Sequence, residues 1–358
     1  MPEPAKPAPA PKPPKKVNLA LQGGGSHGAY TWGVLEVFLE REDLEIVGIS
    51  GASAGAMNTV VMAAGLQAGG REGARRKLQA FWLSVSGEGE FSSVGRSVVD
   101  AWMGAWSSFF APTAWLDLVS KVASPYALNP LNVNPLRDDL LKVVDFEALR
   151  RGQGPKLFIA ATNVHTGQGE IFRRDILTAD HVMASACLPQ LFQSVEIGGV
   201  PYWDGGFSGN PPLWPLFYET DCNDTIIVEI DPIARPETPR TAEAIANRMN
   251  EITFNASLLA EMRAANFVAR LIDSGALKGK GYRRERLHRV GGAGKLEEFG
   301  AASKLDSSWT FLTTLRDLGR ASAIEWLDAN YHAIGHHSTL DVHKTLRKPG
   351  VAPPVPAN

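Results

Sequence analysis

Apolar positions in the first two thirds of the chain follow two different periods. Short apolar runs, typical of buried strands, alternate there with stretches in which apolar residues recur every three or four positions, as in helices. The predicted strands cover residues 17–22, 45–50, 156–163, 170–173, 194–197, 200–202 and 225–230. Strands that alternate with helices form a mainly parallel sheet covered on both faces. The pattern therefore predicts an α/β fold.

The pattern changes after residue 232, where the chain becomes polar and helical. Thr241 is a suitable N-cap for a long helix that runs to Asp273. The apolar residues on one face of this helix are Ile245, Met249, Ile252, Ala256, Leu259 and Met262. A basic stretch, 282–290, predicts an edge strand, and two further helices are predicted over 307–318 and 324–333. We expect residues 233–345 to form a mostly helical extension packed on the core, followed by a proline-rich tail, 346–358.

The composition is that of an ordinary globular protein, with 44% hydrophobic and 21% charged residues among 358. A formal net charge of −2 gives no reason to expect a nucleic-acid partner. The two cysteines, Cys187 and Cys222, indicate no disulfide framework and favour a reducing compartment such as the cytoplasm. The spacing of histidines and cysteines fits no metal site, so neither a metal nor a cofactor is expected.

Residues 1–16 alternate proline, alanine and lysine and lack the apolar stretch of a secretory signal. This composition predicts a disordered arm, either a solvated tail or a basic contact for anionic lipid. No apolar run reaches the roughly 18 to 20 residues that span a bilayer. The sequence therefore predicts a soluble protein that meets a membrane, if at all, at its periphery. It leaves the oligomeric state open.

Three consecutive glycines, Gly23, Gly24 and Gly25, stand between the first predicted strand and the first predicted helix, 29–41. Glycine gives freedom of φ and allows backbone N–H groups to approach a ligand closely. A dinucleotide or phosphate loop is one interpretation, but the glycine spacing matches it only loosely and no Walker lysine follows. An oxyanion hole fits better, with these N–H groups facing a developing negative charge.

A second motif, Gly51-Ala52-Ser53-Ala54-Gly55, directly follows the second strand and precedes a helix predicted over 54–66. A serine on such a tight turn exposes its hydroxyl at a helix N-terminus, where N–H groups and the helix dipole favour negative charge. Gly51 and Gly55 support the turn on either side. Ser53 is therefore a candidate nucleophile, and a plain strand-to-helix turn is the alternative interpretation.

A third motif, Asp204-Gly205-Gly206, ends a strand that follows a predicted hairpin turn at Gly198 and Gly199. Taken alone, Asp-Gly-Gly is most often only a turn, because aspartate bonds its own backbone and glycine supplies positive φ. In combination with a glycine-rich loop and a nucleophile-type turn, a functional role for this motif is favoured more strongly.

Together, in this order, the three motifs resemble those of the patatin-like phospholipase family. A fourth similarity is the segment 184–189 with Phe192, which is predicted to be helical and precedes the Asp-Gly-Gly hairpin. The resemblance covers residues 17–232, which we take as a catalytic domain. It implies a three-layer sandwich with a mainly parallel central sheet, to which the helical extension is added.

The resemblance also implies roles for individual residues. Ser53 would be the nucleophile, Asp204 its general base, and the N–H groups of Gly24 and Gly25 the oxyanion donors. His27 departs from the family pattern, which usually has arginine or lysine in the glycine-rich loop. Because an imidazole is often uncharged near neutral pH, the electrostatic role of this position is in question. A residue that merely packs at the helix N-terminus is the alternative.

An aromatic segment lies between about residues 84 and 130, where Trp102, Trp106 and Phe109 recur at helical spacing. One interpretation is a helix that buries one stripe in the core. The other is a cap over the active site whose aromatic face contacts acyl chains or a lipid surface.

These inferences predict hydrolysis of lipid carboxyl esters through an acyl-enzyme on Ser53. Two rivals stay open at this point. One is a Ser-His-Asp α/β-hydrolase that uses a late histidine: His332, His336, His337 or His343. The other is a catalytically idle scaffold that binds lipid or a partner protein. The sequence does not identify the ester.

Overall fold

The computed structural model describes residues 13–88, 124–130, 132–235, 237–292, 294–296, 299, 303–304 and 306–346. The predicted cap residues Trp102, Trp106 and Phe109 lie outside these ranges. So do most of the N-terminal arm and nearly all of the C-terminal tail, and the predictions for these segments stay predictions.

Eight strands in the described part of the chain form one sheet in the order β5-β6-β3-β2-β1-β7-β8, with β4 paired to β3. Their bounds are β1 Lys15–Leu21, β2 Leu44–Gly51, β3 Lys156–Asn163, β4 Gly169–Arg173, β5 Val195–Ile197, β6 Val200–Asp204, β7 Asp224–Glu229 and β8 Arg286–Gly291. Strands β3, β2, β1, β7 and β8 run parallel, whereas β4, β5 and β6 pair antiparallel. This mostly parallel sheet with flanking helices confirms the predicted fold class.

Ten α-helices in the described residues flank the sheet. They are α1 Gly28–Leu39, α2 Ala54–Val85, α3 Pro125–Leu128, α4 Pro135–Val143, α5 Phe146–Arg151, α6 Ala179–Ser185, α7 Trp214–Glu219, α8 Ala242–Asp273, α9 Trp309–Asn330 and α10 Val342–Leu346. Helix α2 is interrupted by non-helical backbone at Gly69 and Gly70. Helix α1 is buried along its whole length, because α2 and α9 both pack against it.

The prediction of two separate helices over 307–318 and 324–333 is wrong. A single helix, α9, covers most of this range and ends in a 3-10 turn, Tyr331–Ala333. Gly319 does not break the helix, because α9 uses it to approach α1: a Cβ there would lie 2.0 Å from the carbonyl oxygen of Tyr30. Gly33 is used in the same way, since its Cβ would lie 1.9 Å from the carbonyl oxygen of Arg316.

Helix α8 has the predicted bounds, and the Thr241 hydroxyl accepts a hydrogen bond from the N–H of Ala244 as an N-cap. However, the helix packs only in part through the apolar face predicted from the sequence. Met262 is buried in the core, whereas Ile245, Met249 and Ile252 are 43%, 63% and 55% exposed. The buried side of the helix also contains polar residues, such as Glu251, that find partners inside the molecule.

The C-terminal extension shares the sheet and the core with the preceding part of the chain. Strand β8 pairs parallel to β7 at the sheet edge, which confirms the predicted edge strand. Helix α9 covers α1 on one face of the sheet. Among the described helices, none combines the length and the apolar character needed to cross a bilayer.

Candidate active site

The register of β3 brings the second and third sequence motifs together. Strand β4 pairs with residues 158–162 of β3, so β2 and β6 must share the opposite side of that strand. There β2 ends with Gly51 opposite Ile159, and β6 ends with Asp204 opposite Ala161. Because β6 is antiparallel to β3 and β2 is parallel to it, their carboxyl ends point toward each other.

Ser53 lies on the turn between β2 and α2 in a backbone conformation that side-chain-bearing residues rarely adopt. Its φ is 52°, one of two positive values among the described non-glycine residues. The N–H of Ser53 donates to the carbonyl oxygen of Ser185 at 3.1 Å and to its hydroxyl at 3.0 Å. The turn is therefore held from outside by the end of α6.

Asp204 is 1% exposed, and the N–H of Gly206 donates to its Oδ1 at 2.7 Å. Burial raises the pKa of Asp204 to about 7, although the Gly206 N–H and the nearby Ser53 side chain act in the opposite direction. A carboxylate with this pKa is a far better proton acceptor at neutral pH than an exposed aspartate.

The segment 184–189 contacts both residues, and its predicted helical conformation is wrong beyond Ser185, where helix α6 ends. The chain then turns so that the carbonyl oxygen of Cys187 accepts the N–H of Asp204 at 2.8 Å. Ser185 therefore holds Ser53, and Cys187 holds Asp204.

The glycine-rich loop follows β1 and lies against the nucleophile turn. A Cβ on Gly23 would lie 2.5 Å from the Cβ of Ser53, so only glycine allows this approach. The N–H of Gly23 donates to Oδ1 of Asn210 at 2.7 Å. The N–H groups of Gly24 and Gly25 have no acceptor among the described residues, and both glycines line the same cavity as Ser53.

The buried side chain of Gln22 fixes the start of this loop. Its Oε1 accepts the N–H groups of Ile230 and Asp231 at 2.8 and 2.9 Å, and its Nε2 donates to Asn255 at 3.0 Å. Asn255 lies on the buried face of α8. The sequence motifs did not identify Gln22, Asn210 or Asn255, because each acts through a partner distant in the chain.

His27 is buried behind the loop. Its Nε2 lies 2.8 Å from the Ser303 hydroxyl, and its ring contacts Phe299 and Phe311. Burial, and secondarily the charge of Lys304, lowers the pKa of His27 to about 3. The imidazole is therefore neutral at physiological pH, and it packs rather than supplying charge to the loop.

A cation from the C-terminal extension is nevertheless present in the cavity. Lys304 pairs with the buried carboxylate of Asp231, and both residues line the cavity with the glycine-rich loop. Its carbonyl oxygen would lie 2.5 Å from a Cβ on Gly25, whose φ is +59°. The extension thus contributes directly to the wall of the site.

The segment with His332, His336 and His337 lies away from this cavity. The N–H of Gly335 donates to Asp224, the first residue of β7, and Lys15, the first residue of β1, donates to the carbonyl oxygen of His332. This segment therefore borders the amino edge of the parallel strands, whereas Ser53 follows a carboxyl end. Among the described residues, no cluster of three or more metal-binding side chains is found.

Comparisons with known proteins agree with the motifs. The family profile described as patatin-like phospholipase matches residues 19–217. VipD from Legionella pneumophila is 16% identical over 88% of this chain and 67% of its own, with a TM-score of 0.42. ExoU from Pseudomonas aeruginosa, solved in complex with SpcU, is 15% identical over 93% of this chain and 76% of its own, with a TM-score of 0.27.

No curated protein gives a significant sequence match. The family profile, however, covers more than half of the 358 residues and includes all the motifs that meet at the cavity. The chain belongs to the patatin-like phospholipase family, a family of lipid acyl hydrolases.

Proposed function

We propose that the protein hydrolyses lipid carboxyl esters through an acyl-enzyme on Ser53, with Asp204 as the base. The observation that carries the proposal is that Ser53 and the buried carboxylate of Asp204, whose pKa is raised to about 7, line one cavity with the glycine-rich loop. A nucleophile and a base at the wall of one cavity are the parts that acyl transfer needs.

In the first half-reaction, Oγ of Ser53 bonds to the ester carbonyl carbon while its proton passes to Asp204. The carbonyl oxygen becomes an oxyanion, and the N–H groups of Gly24 and Gly25 are suited to stabilise it. When the carbon–oxygen bond to the leaving alcohol breaks, that alcohol takes the proton from Asp204. The acyl group stays on Ser53.

In the second half-reaction, water gives a proton to Asp204 and attacks the acyl carbon. The bond to Oγ then breaks, Ser53 recovers a proton from Asp204, and the carboxylic acid leaves. No histidine is needed in either step. Because His27 is neutral and bonded to Ser303, it supports the loop without joining the proton transfers.

The walls of the cavity favour a lipid ester. Its apolar lining consists of Leu188, Leu191, Phe207, Ala246, Met249 and Phe254. The volume is about 240 Å³, below the roughly 300 to 1,000 Å³ of sites that enclose a whole drug-sized ligand. The cavity therefore suits the ester group and part of one acyl chain, with the remainder of the lipid outside.

Two observations weigh against the rivals. The segment that carries His332, His336 and His337 borders the opposite edge of the sheet from Ser53, which disfavours a Ser-His-Asp triad that uses one of these histidines. An idle scaffold would have no use for a buried carboxylate whose desolvation destabilises the fold, yet Asp204 is retained beside Ser53.

A panel of phospholipids, lysolipids, neutral lipids and short acyl esters tests the proposal when it is run with wild-type protein and Ser53→Ala. We expect ester hydrolysis in the wild type and its loss in the variant, which should keep its fold. Equal activity of the two proteins on every ester would contradict the proposal.

A further inference from the structure

Helix α8 exposes an apolar stripe at the edge of the cavity. Ile245, Met249 and Ile252 are spaced as neighbours on one helix face, and their exposed fractions are 43%, 63% and 55%. Ala256 is also exposed on this face, and Leu259 is half-buried. We call these five residues the α8 stripe. In a folded protein, a contiguous apolar surface of this kind indicates a binding surface.

The charges further along the same face are of one sign. The helical line of the α8 stripe continues through Arg263, Phe267 and Arg270, all exposed. Every residue on this line is apolar or arginine, and neither arginine forms an ion pair with a described residue. The acidic Glu251 is turned inward and pairs with Arg235 and Arg248.

The α8 stripe is continuous with the cavity. Met249 belongs to the stripe and also lines the cavity that contains Ser53 and Asp204. Ala246 and Phe254, from the adjoining side of α8, line it as well. An occupant of the stripe would therefore lie directly at the cavity opening.

We propose that the α8 stripe is the surface through which the protein adsorbs to an anionic lipid surface. A helix face that presents apolar side chains and arginines but no carboxylates fits anionic lipid, which attracts the arginines and accommodates the apolar side chains among its acyl chains. The adsorbed lipid then faces the cavity opening. This benefit to catalysis rests on the proposed function, whereas the adsorption itself does not.

Vesicle partitioning tests the proposal in a Ser53→Ala background, where hydrolysis cannot alter the vesicles. The test variant combines Ile245→Gln with Ile252→Gln, neither of which lines the cavity. Its matched control combines Ile176→Gln with Ile324→Gln, because these isoleucines are 47% and 46% exposed elsewhere on the surface. Each protein is sedimented with phosphatidylcholine vesicles, with and without phosphatidylglycerol.

The α8 variant should bind vesicles at least tenfold more weakly, because two partly exposed isoleucines no longer enter the lipid. The control should bind like the parent protein. Arg263→Gln with Arg270→Gln should remove most of the preference for phosphatidylglycerol, whereas Arg76→Gln with Arg151→Gln, also exposed, should retain it.

Unchanged partitioning of the α8 variant, or an equal loss in the isoleucine control, would overturn the proposal. Other occupants give different results. If the α8 variant had half the molar mass of the parent protein in solution, the stripe would be an interface between two copies. If the α8 variant melted at a lower temperature than the parent, another part of the chain would cover the stripe. Vesicle partitioning requires no catalysis, whereas the proposed hydrolysis is measured separately with a short soluble ester. A failure of the adsorption proposal is therefore distinct from a failure of the proposed function.

Discussion

The N–H of Ser53 donates to both oxygens of Ser185, to the carbonyl at 3.1 Å and to the hydroxyl at 3.0 Å. Ser53, which directly precedes α2, is thus held in its positive-φ conformation by the end of another helix, α6. Two residues further along, Cys187 holds the N–H of Asp204 at 2.8 Å. One short segment therefore holds both Ser53 and Asp204, the proposed nucleophile and base.

Ser185→Ala should lower kcat about five- to tenfold, because one of two hydrogen bonds to the nucleophile turn is lost and such a bond contributes about 1 kcal/mol. The fold should persist, since the carbonyl bond remains. Ser338→Ala is the matched control: its hydroxyl accepts the N–H of Leu287 at 3.2 Å, away from the cavity. Steady-state kinetics of both variants check this prediction. If Ser185→Ala had the same kcat as Ser338→Ala, Ser185 would have no positioning role.

Asp204→Asn should raise the free energy of unfolding at pH 8 while it abolishes turnover. The pKa of Asp204 is about 7 in the folded protein, whereas an aspartate in an unfolded chain has a pKa of 3.8. Between these values the folded state binds more protons than the unfolded state, so this group's contribution to stability falls as pH rises through that window. Because asparagine does not ionise, the Asp204→Asn variant does not lose this stability as pH rises.

We expect Asp204→Asn to be more stable than the wild type by about 1 to 4 kcal/mol at pH 8, and by little at pH 4. Denaturant unfolding at the two pH values measures the difference. A variant that is less stable than the wild type at pH 8 would show that Asp204 is ionised there without cost.

The sequence motifs were sufficient to propose Ser53, Asp204 and the glycine-rich loop as candidates, and the structure places all three at one cavity. The sequence did not identify Ser185 or Asn210 as the partners that hold them, since those hydrogen bonds join distant parts of the chain. Likewise, helical periodicity defined the bounds of α8 and the buried position of Met262, but not the rest of its buried face. That choice depends on Gln22 and Arg235, which bond to polar residues of the helix.

Gly23→Ala should lower kcat by about a hundredfold, comparable to the loss of an oxyanion donor. The new methyl group would lie 2.5 Å from the Cβ of Ser53, so the loop or the nucleophile must move. Gly69→Ala is the control, because the nearest atom to its Cβ is 3.4 Å away on a flexible arginine. If the Gly23 variant kept full activity, the loop would not need its close contact with Ser53.

His27→Arg should destabilise the protein without raising kcat, although arginine is the residue that the family often has in this loop. The guanidinium would be buried between Phe299 and Phe311 and close to Lys304. Burial of such a charge costs about 2 kcal/mol or more. Thermal unfolding should show a lower midpoint than in the wild type, and the exposed His165→Arg should show no change.

The central claim is that Asp204 activates Ser53, and the rate of covalent labelling by a serine-directed phosphonate tests it most directly. Peptide mapping should find the label on Ser53. The labelling rate should rise with pH through about 7 as Asp204 loses its proton, and it should fall by orders of magnitude in Asp204→Asn at every pH. A label on another residue, or an Asp204→Asn protein that reacts at the wild-type rate, would contradict the account.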